Sequence, residues 1–393
     1  MRFPDMATNT DIPQGYKATA LGIIPQEWEI VRFGKVMKCF SGGTPKSSNP
    51  DFFGGKIPFI KSGEIHLSTT EQNLSEEGLN QSAAKMVNKG DLLYALYGAN
   101  SGDCAISKIE GAINQAILCI RTDAFDIPYL LAVLELNRPY YTDVYLQGGQ
   151  GNLSAEIVKS YMIAVPPLAE QRKIAEVLGV WDEAIEKQAR LIEKLALRKR
   201  ALMQRLLSAK LRLPGFSSPW QKVKLGDICN ITTGKIDANA MESNGIYPFF
   251  TCAKEIYRIN KYAFDTEALL ISGNGEYVGY IHYCKGKFNA YQRTYVLDKF
   301  KANIFYVKHA LQYHLPKRIL QTKSNSNTPY IVIGTLQDMI ISEPSIKEQT
   351  AIAEVLTAAD REIELAKEKL ERLRRQKRGL MQQLLTGKKR IKI

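Results

Sequence analysis

Asp51, Glu64 and His66 are this chain's nearest approach to a metal-dependent nuclease, and the approach fails at one residue. Such a site calls for acidic groups followed by Glu-x-Lys, and His66 stands where the Lys belongs. Asn49-Pro50-Asp51-Phe52 approaches the [ND]-P-P-[FY] run of enzymes that methylate amino groups on DNA, but Asp51 replaces the second Pro. Phe40–Ser48 (FSGGTPKSS) lacks the G-x-x-x-x-G-K-[ST] spacing that cradles a phosphate, so ATP hydrolysis is not expected. Gly273-x-Gly275 follows the apolar run ALLIS, but no helical pattern follows it, so it reads as strand–turn–strand. His309 and His314 lie five apart without a Glu between them. Together with His66 and His282 they read as surface or satisfied core histidines, not metal ligands. The six cysteines show no C-x-x-C spacing, which supports neither a zinc ribbon nor a redox pair and suits reduced thiols in a cytoplasmic protein. These near misses leave no metal and no cofactor expected in this chain, while an enzyme with unrecognised motifs stays open on the residues alone.

The elements that position these residues come in two copies. EQRKIAEVLGVWDEAIEK begins at Glu170, and EQTAIAEVLTAADREIEL begins 178 residues later at Glu348. WEIVRFGKV at Trp28 matches WQKVKLGDI at Trp220. A period this long marks a duplicated domain unit, not a solenoid. The flanks match while the segments between them diverge, which suggests one scaffold presenting two different surfaces. DLLYALYGANSGDCAI from Asp91 and ALLISGNGEYVGYIHY from Ala268 are β-prone runs broken by Gly and Asn turns. The segments between the helices therefore read as mixed α/β domains.

After each EQ the apolar residues step by four and three, a heptad stripe. In the first copy it runs through Ile174, Leu178, Ile185, Ile192, Leu195, Leu202 and Leu206. In the second it runs through Ile352, Leu356, Ile363, Leu370, Leu373, Leu380 and Leu384. A helix of about 33 residues spans about 50 Å. Either the two helices pair with each other or each seeks a partner subunit. A folded domain lies between them, and a helix cannot double back without a turn, which favours an antiparallel pair. Lys199 and Lys377 interrupt the stripe at the same step. Each either fixes register or extends its ammonium group to solvent.

The organisation expected is residues 1–167 as a first domain, 168–213 as a central helical region, 214–345 as a second domain and 346–393 as a C-terminal helical region. The fold class is α+β. With 393 residues, 45% hydrophobic and 24% charged, the chain can bury a sizeable core. No run of about 18 apolar residues suggests a membrane span, and the first residues carry no apolar signal-peptide core. The net charge of +13 hints at a polyanionic partner. Residues 1–167 carry −3 and residues 214–345 carry +5, while 168–213 carry +5 and 346–393 carry +6. The helices thus hold most of the positive charge, and the first domain's affinity for DNA cannot be argued from it.

IPQEW, SGGTP, IPFI at Ile57, YGANSG, INQA at Ile113, PPLAEQRKIAEVL and its copy EQTAIAEVL resemble the specificity subunit of type I restriction–modification systems. The resemblance covers nearly the whole chain. It implies two target recognition domains, each reading one half of a bipartite double-stranded DNA site, and long helices pairing as an antiparallel coiled coil. It also implies docking of two modification (methyltransferase) subunits, which hold S-adenosylmethionine, with a restriction subunit joining in some systems. The alternative from the residues alone is a coiled-coil protein-interaction scaffold that reads no DNA sequence.

Phosphate contacts hold a protein on the duplex, and Asn, Gln, Arg, Ser and Thr read base edges. The loop residues expected at DNA are Thr44, Lys46, Ser47, Asn49, Lys61, Asn100, Ser101, Gln147, Gln150 and Asn152 in the first domain. In the second they are Lys235, Asn239, Asn244, Lys254, Asn274, Tyr277, Arg293, Lys323, Asn325 and Asn327. For each, a residue that merely wets the surface or shapes a turn is the competing reading. Gln115 and Gln292 follow matching turns, which favours a shared structural role.

Overall fold

The computed structural model describes residues 12–145, 152–321 and 330–391. The fold is α+β, with two compact units: Met1–Lys187 with Leu370–Ile393, and Gln188–Lys369. Each unit therefore owns a mixed domain, part of the first long helix (Leu168–Leu206) and part of the second (Ile346–Leu384).

In the first unit, one sheet has the strand order Lys38–Ser41, Ile117–Arg121, Leu92–Ala95, Cys104–Ile106. Its central strands, ILCIR and LLYA, are almost wholly buried, as continuous apolar runs should be when both faces are covered. A second sheet has the order Asn73–Leu74, Phe53–Ile60, Gly111–Ile113, Lys85–Val87. The second unit repeats the plan in one six-stranded sheet. Asn230–Thr233, Thr294–Asp298, Phe264–Ser272 and Ile281–Ala290 come first, then Tyr247–Phe250 and Ile256–Ile259. The ten-residue strand Ile281–Ala290 does the work that Cys104–Ile106 and Gly111–Ile113 share in the first unit. In each unit a strand next to the Trp pairs with the strand leading into the long helix: Glu29–Arg32 with Met162–Val165, and Gln221–Lys224 with Ile340–Glu343.

A helix lies beside each sheet: Ile127–Tyr145 in the first unit, Ile304–Gln321 in the second, each with an internal Pro at a matching position (Pro139, Pro316). Each starts with a side-chain cap, since the first backbone N–H groups of a helix lack partners. Asp126 Oδ1 accepts from Tyr129 N–H, and Asn303 Oδ1 accepts from Phe305 and Tyr306 N–H.

None of the stripe residues on the long helices is exposed. Their ends are domain core as well. Ile174 and Leu178 share a cluster with Trp28, Tyr129, Met381, Leu384 and Leu385. Leu206 and Leu356 share another with Leu225, Leu311, Met203 and Leu207. Met203, Leu207, Met381 and Leu385 form a second flank, one step beyond the heptad positions, that faces the domain.

Candidate nucleic-acid interface

The EQ motif fastens helix to domain. Glu170 and Glu348 are buried, with about 1% of each side chain exposed. Trp28 Nε1 donates to Glu170 Oε2 (3.0 Å), and Arg390 donates to both carboxylate oxygens (2.6 and 2.9 Å). In the second unit Trp220 Nε1 donates to Glu348 Oε2 (3.0 Å), and Arg212 forks onto both oxygens (2.7 and 2.9 Å). A two-pronged guanidinium is the donor set a buried carboxylate needs. The carboxylate raises the Arg390 pKa above its ordinary value through their hydrogen bonds. The adjacent Gln does a different job. Gln171 Oε1 accepts from Asp126 N–H and its Nε2 donates to Pro166 O. Gln349 Oε1 accepts from Asn303 N–H and its Nε2 donates to Pro344 O. Each Gln thus ties the capping residue of the domain helix to the start of the long helix.

Within each unit the two long helices run in opposite directions. In the second, Gln188 Nε2 donates to Ala366 O (2.9 Å), and further along Lys199 meets Asp360 (2.5 Å). In the first, Glu170 meets Arg390, and further along Asp182 meets Lys377 (2.5 Å). The Lys199 and Lys377 side chains are each 14% exposed and ion-paired, not extended into water. Each also approaches its unit's domain helix, Lys199 at Gln312 Oε1 (3.5 Å) and Lys377 at Glu135 Oε2 (3.8 Å). Burial raises the Glu135 pKa, and Lys377 opposes that rise.

The outer loops rest on a frame common to both units. A Cβ on Gly42 would fall 1.7 Å from Ile113 O, and one on Gly234 would fall 1.8 Å from Ala290 O. Only glycine permits either approach. Gln115 Oε1 accepts from Thr44 Oγ1 (2.6 Å), while Gln292 N–H donates to Ile236 O (3.0 Å), at the matching point of the loop. In the first unit this frame borders a recess of about 410 Å³, lined in part by Thr44, Ser47, Phe53, Phe59, Lys61 and Asn114.

The expected readers divide in the structure. Thr44, Ser47 and Lys61 meet at that recess. Lys46 and Asn152 are exposed. Asn49 is half-buried and uses Oδ1 to cap Asp51 N–H, and Asn100 is half-buried in a 3-10 turn. Ser101 is turned inward at 5% exposure and donates to Leu96 O and Gly98 O, so it shapes the turn and offers nothing to a base. In the second unit Lys235, Asn239, Asn244 and Arg293 are exposed. Lys254 Nζ lies 4.7 Å from the Tyr277 ring centre, a cation–π contact. Asn274 bridges to Tyr330. Gln147, Gln150, Lys323, Asn325 and Asn327 lie outside the described residues.

The nuclease-like spacing is also accounted for. Glu64 accepts from Lys61 N–H and Glu71 N–H, and His66 Nε2 lies 3.0 Å from Asp103 Oδ2. Among the described residues no cluster of His, Cys, Asp or Glu could hold a metal ion. No helix there is long and apolar enough to cross a membrane.

The sequence profile described as "Type I restriction modification DNA specificity domain" matches residues 25–196 and 217–375. The chain belongs to this family. It is 40% identical over 167 residues to the type I restriction enzyme EcoDI specificity subunit of Escherichia coli, a match covering 42% of this chain and 37% of that one. It is 24% identical to the MjaVIII specificity subunit of Methanocaldococcus jannaschii, over 94% of each chain. The fold resembles that of a type I S subunit from M. genitalium, with a TM-score of 0.60 at 16% identity, over 91% of this chain and 96% of that one. The profile ends its first match inside the first long helix and its second inside the second, so one copy of the family domain comprises a mixed domain and the helix start that its Glu-Gln pair fastens.

The structure brings out functional residues overlooked in the sequence. Arg212 and Arg390 are the main ones, and Asn114 is another. The signal for the arginines is present: they occupy the same place in the two copies, as do Glu170 and Glu348. Nothing in a linear pattern says that each Arg serves the Glu of the other copy.

Proposed function

We propose that this chain confers DNA sequence specificity on a type I restriction–modification complex without itself performing the chemistry. The first unit reads one half of a bipartite site and the second reads the other. The observation that carries this is the duplicated frame with divergent loops: Gly42 and Gly234 support matching turns, while the side chains beyond them differ. Duplex DNA offers two separated half-sites to such a pair of modules.

The partners are two modification subunits that hold S-adenosylmethionine, joined in some complexes by a restriction subunit. Two copies are supported by the repetition of exposed apolar side chains at matching places, Met162 and Leu168 in one unit, Ile340 and Ile346 in the other. The two long helices pair as an antiparallel coiled coil, and the setting is the cytoplasm.

Sequencing of modified bases in a host genome, with and without this gene, tests the reading. A discontinuous methylated motif should vanish with the gene. Exchanging residues 28–166 for the matching segment of a relative should change one half of that motif only. If both halves change, or if sequence-independent assembly is the only property found, the proposal fails.

A further inference from the structure

The duplication supplies an internal comparison: what both units keep at one place is frame, and what changes there is free to read sequence. The paired strands align Phe59 with Phe249, Ile113 with Ala290 and Gln115 with Gln292. Continuing one residue past the strands aligns Lys61 with Thr251 and Asn114 with Tyr291. The frame is shared, but the chemistry at its rim is not. Thr251 is 6% exposed and its Oγ1 accepts from Ala253 N–H, so it turns inward. Lys61 stays on the rim, with its ammonium nitrogen 3.6 Å from an exposed Glu71, a contact that holds it loosely. Tyr291 puts a ring where Asn114 puts an amide.

Asn114 and Lys61 are held in place by bonds that leave their donors available. Asn114 Oδ1 accepts from Ala116 N–H (3.1 Å), which fixes the amide orientation and turns Nδ2 to other use. Glu64 ties down the backbone at Lys61 (3.0 Å) and at Glu71 (2.8 Å). Phe53 and Phe59 line the same recess, and an apolar lining strengthens hydrogen bonds made at its rim.

Resting on the proposed DNA-reading function, we propose that Lys61 and Asn114 are the specificity-determining residues of the first half-site and that they read a guanine. Both present donors only. In the major groove guanine shows two acceptors, O6 and N7, side by side, whereas adenine offers one acceptor beside a donor. The second unit has the hydroxyls of Thr251 and Tyr291 at the matching places instead of an ammonium and an amide, so its half-site is read by different groups.

The test uses the full chain produced with its modification subunit in a host without other adenine methylation, read by sequencing of modified bases. Asn114→Asp keeps the oxygen that Ala116 N–H requires but removes the donor. Methylation at the guanine-containing site should fall roughly tenfold or more. Cytosine, whose N4 amine donates, should gain at that one base pair while the other half-site is unchanged. Lys61→Ala should relax the same base pair without a new preference, and it decides the matter if Asn114→Asp does not fold. An unchanged motif in the variants that fold, or a change confined to the second half-site, overturns the assignment. A wild-type complex that methylates no discontinuous site overturns the reading of the whole protein, and this assignment with it.

Discussion

Ala209 shows how far one residue can be judged by its copy. It sits at the end of the first long helix with φ +59°, and Gly387 holds the same place after the second with φ +71°. Both turns close in the same way, Ala209 N–H to Leu206 O and Leu211 N–H to Arg205 O in one, Gly387 N–H to Leu384 O and Lys389 N–H to Gln383 O in the other, so each helix ends on a left-handed residue. A left-handed residue other than glycine costs about 1 kcal/mol. Ala209→Gly should therefore stabilise the protein by roughly 0.5 kcal/mol at most, because the freedom gained by the unfolded chain offsets part of that relief. Thermal unfolding of the two proteins checks this, and a lower midpoint would refute it. The reverse change at Gly387 has no room, because a Cβ there would lie 2.4 Å from Pro25. His309 is the other instructive residue. It is 1% exposed and accommodated by Gln312 and Thr357, and burial pushes its pKa down to about 4. The unfolded chain takes up that proton near pH 6.5, so stability is complete above 6.5 and declines as pH falls towards 4. Between pH 6.5 and 5 the loss is about 2 kcal/mol. His309→Gln should remove that part of the decline in urea titrations. A slope identical to wild type would show that other groups cause it.

At the scale of elements, the clasps on Glu170 and Glu348 matter more than the heptad stripe suggests. Removing Arg212 leaves a buried carboxylate without its charge partner, which typically costs about 3–5 kcal/mol. Arg212→Ala should lose that much in denaturant unfolding. Arg212→Lys should recover only part, because an ammonium group cannot fork onto both oxygens while a guanidinium can. Full recovery by Lys would show that charge alone, not geometry, is required. The heptads, the Trp repeats and the Gly-rich turns were all legible in the sequence. The partner of each Glu was not: 136 residues separate Arg212 from Glu348 and 220 separate Arg390 from Glu170. The buried flank Met203, Leu207, Met381 and Leu385 escaped for a related reason, since a heptad pattern describes one neighbour and these helices have two.

At the scale of the molecule, the net charge sits mostly outside the mixed domains. The helical regions 168–213 and 346–393 hold +11 of the total +13, and the first domain is slightly acidic. Many helix charges are paired along their own surface, as Arg361 with Glu364 and Arg374 with Glu371 are. If the helices neutralise phosphates, the affinity of the complex for DNA should fall steeply and linearly on a log–log plot as salt rises. A shallow slope would show that the helix charge does not neutralise phosphate.

The sequence by itself determined the duplication, the long amphipathic helices and the family. Each of these is written in residue types at short or strictly repeated spacing, which local periodicity and self-comparison can read. Tertiary structure decided which Arg meets which Glu, how Lys199 and Lys377 are paired, and which loop residues share a recess. Those facts depend on contacts between residues far apart in the chain. There, close approach of backbone to backbone at Gly42 and Gly234, and the need to satisfy every buried charge, select one arrangement from many that the linear pattern allows.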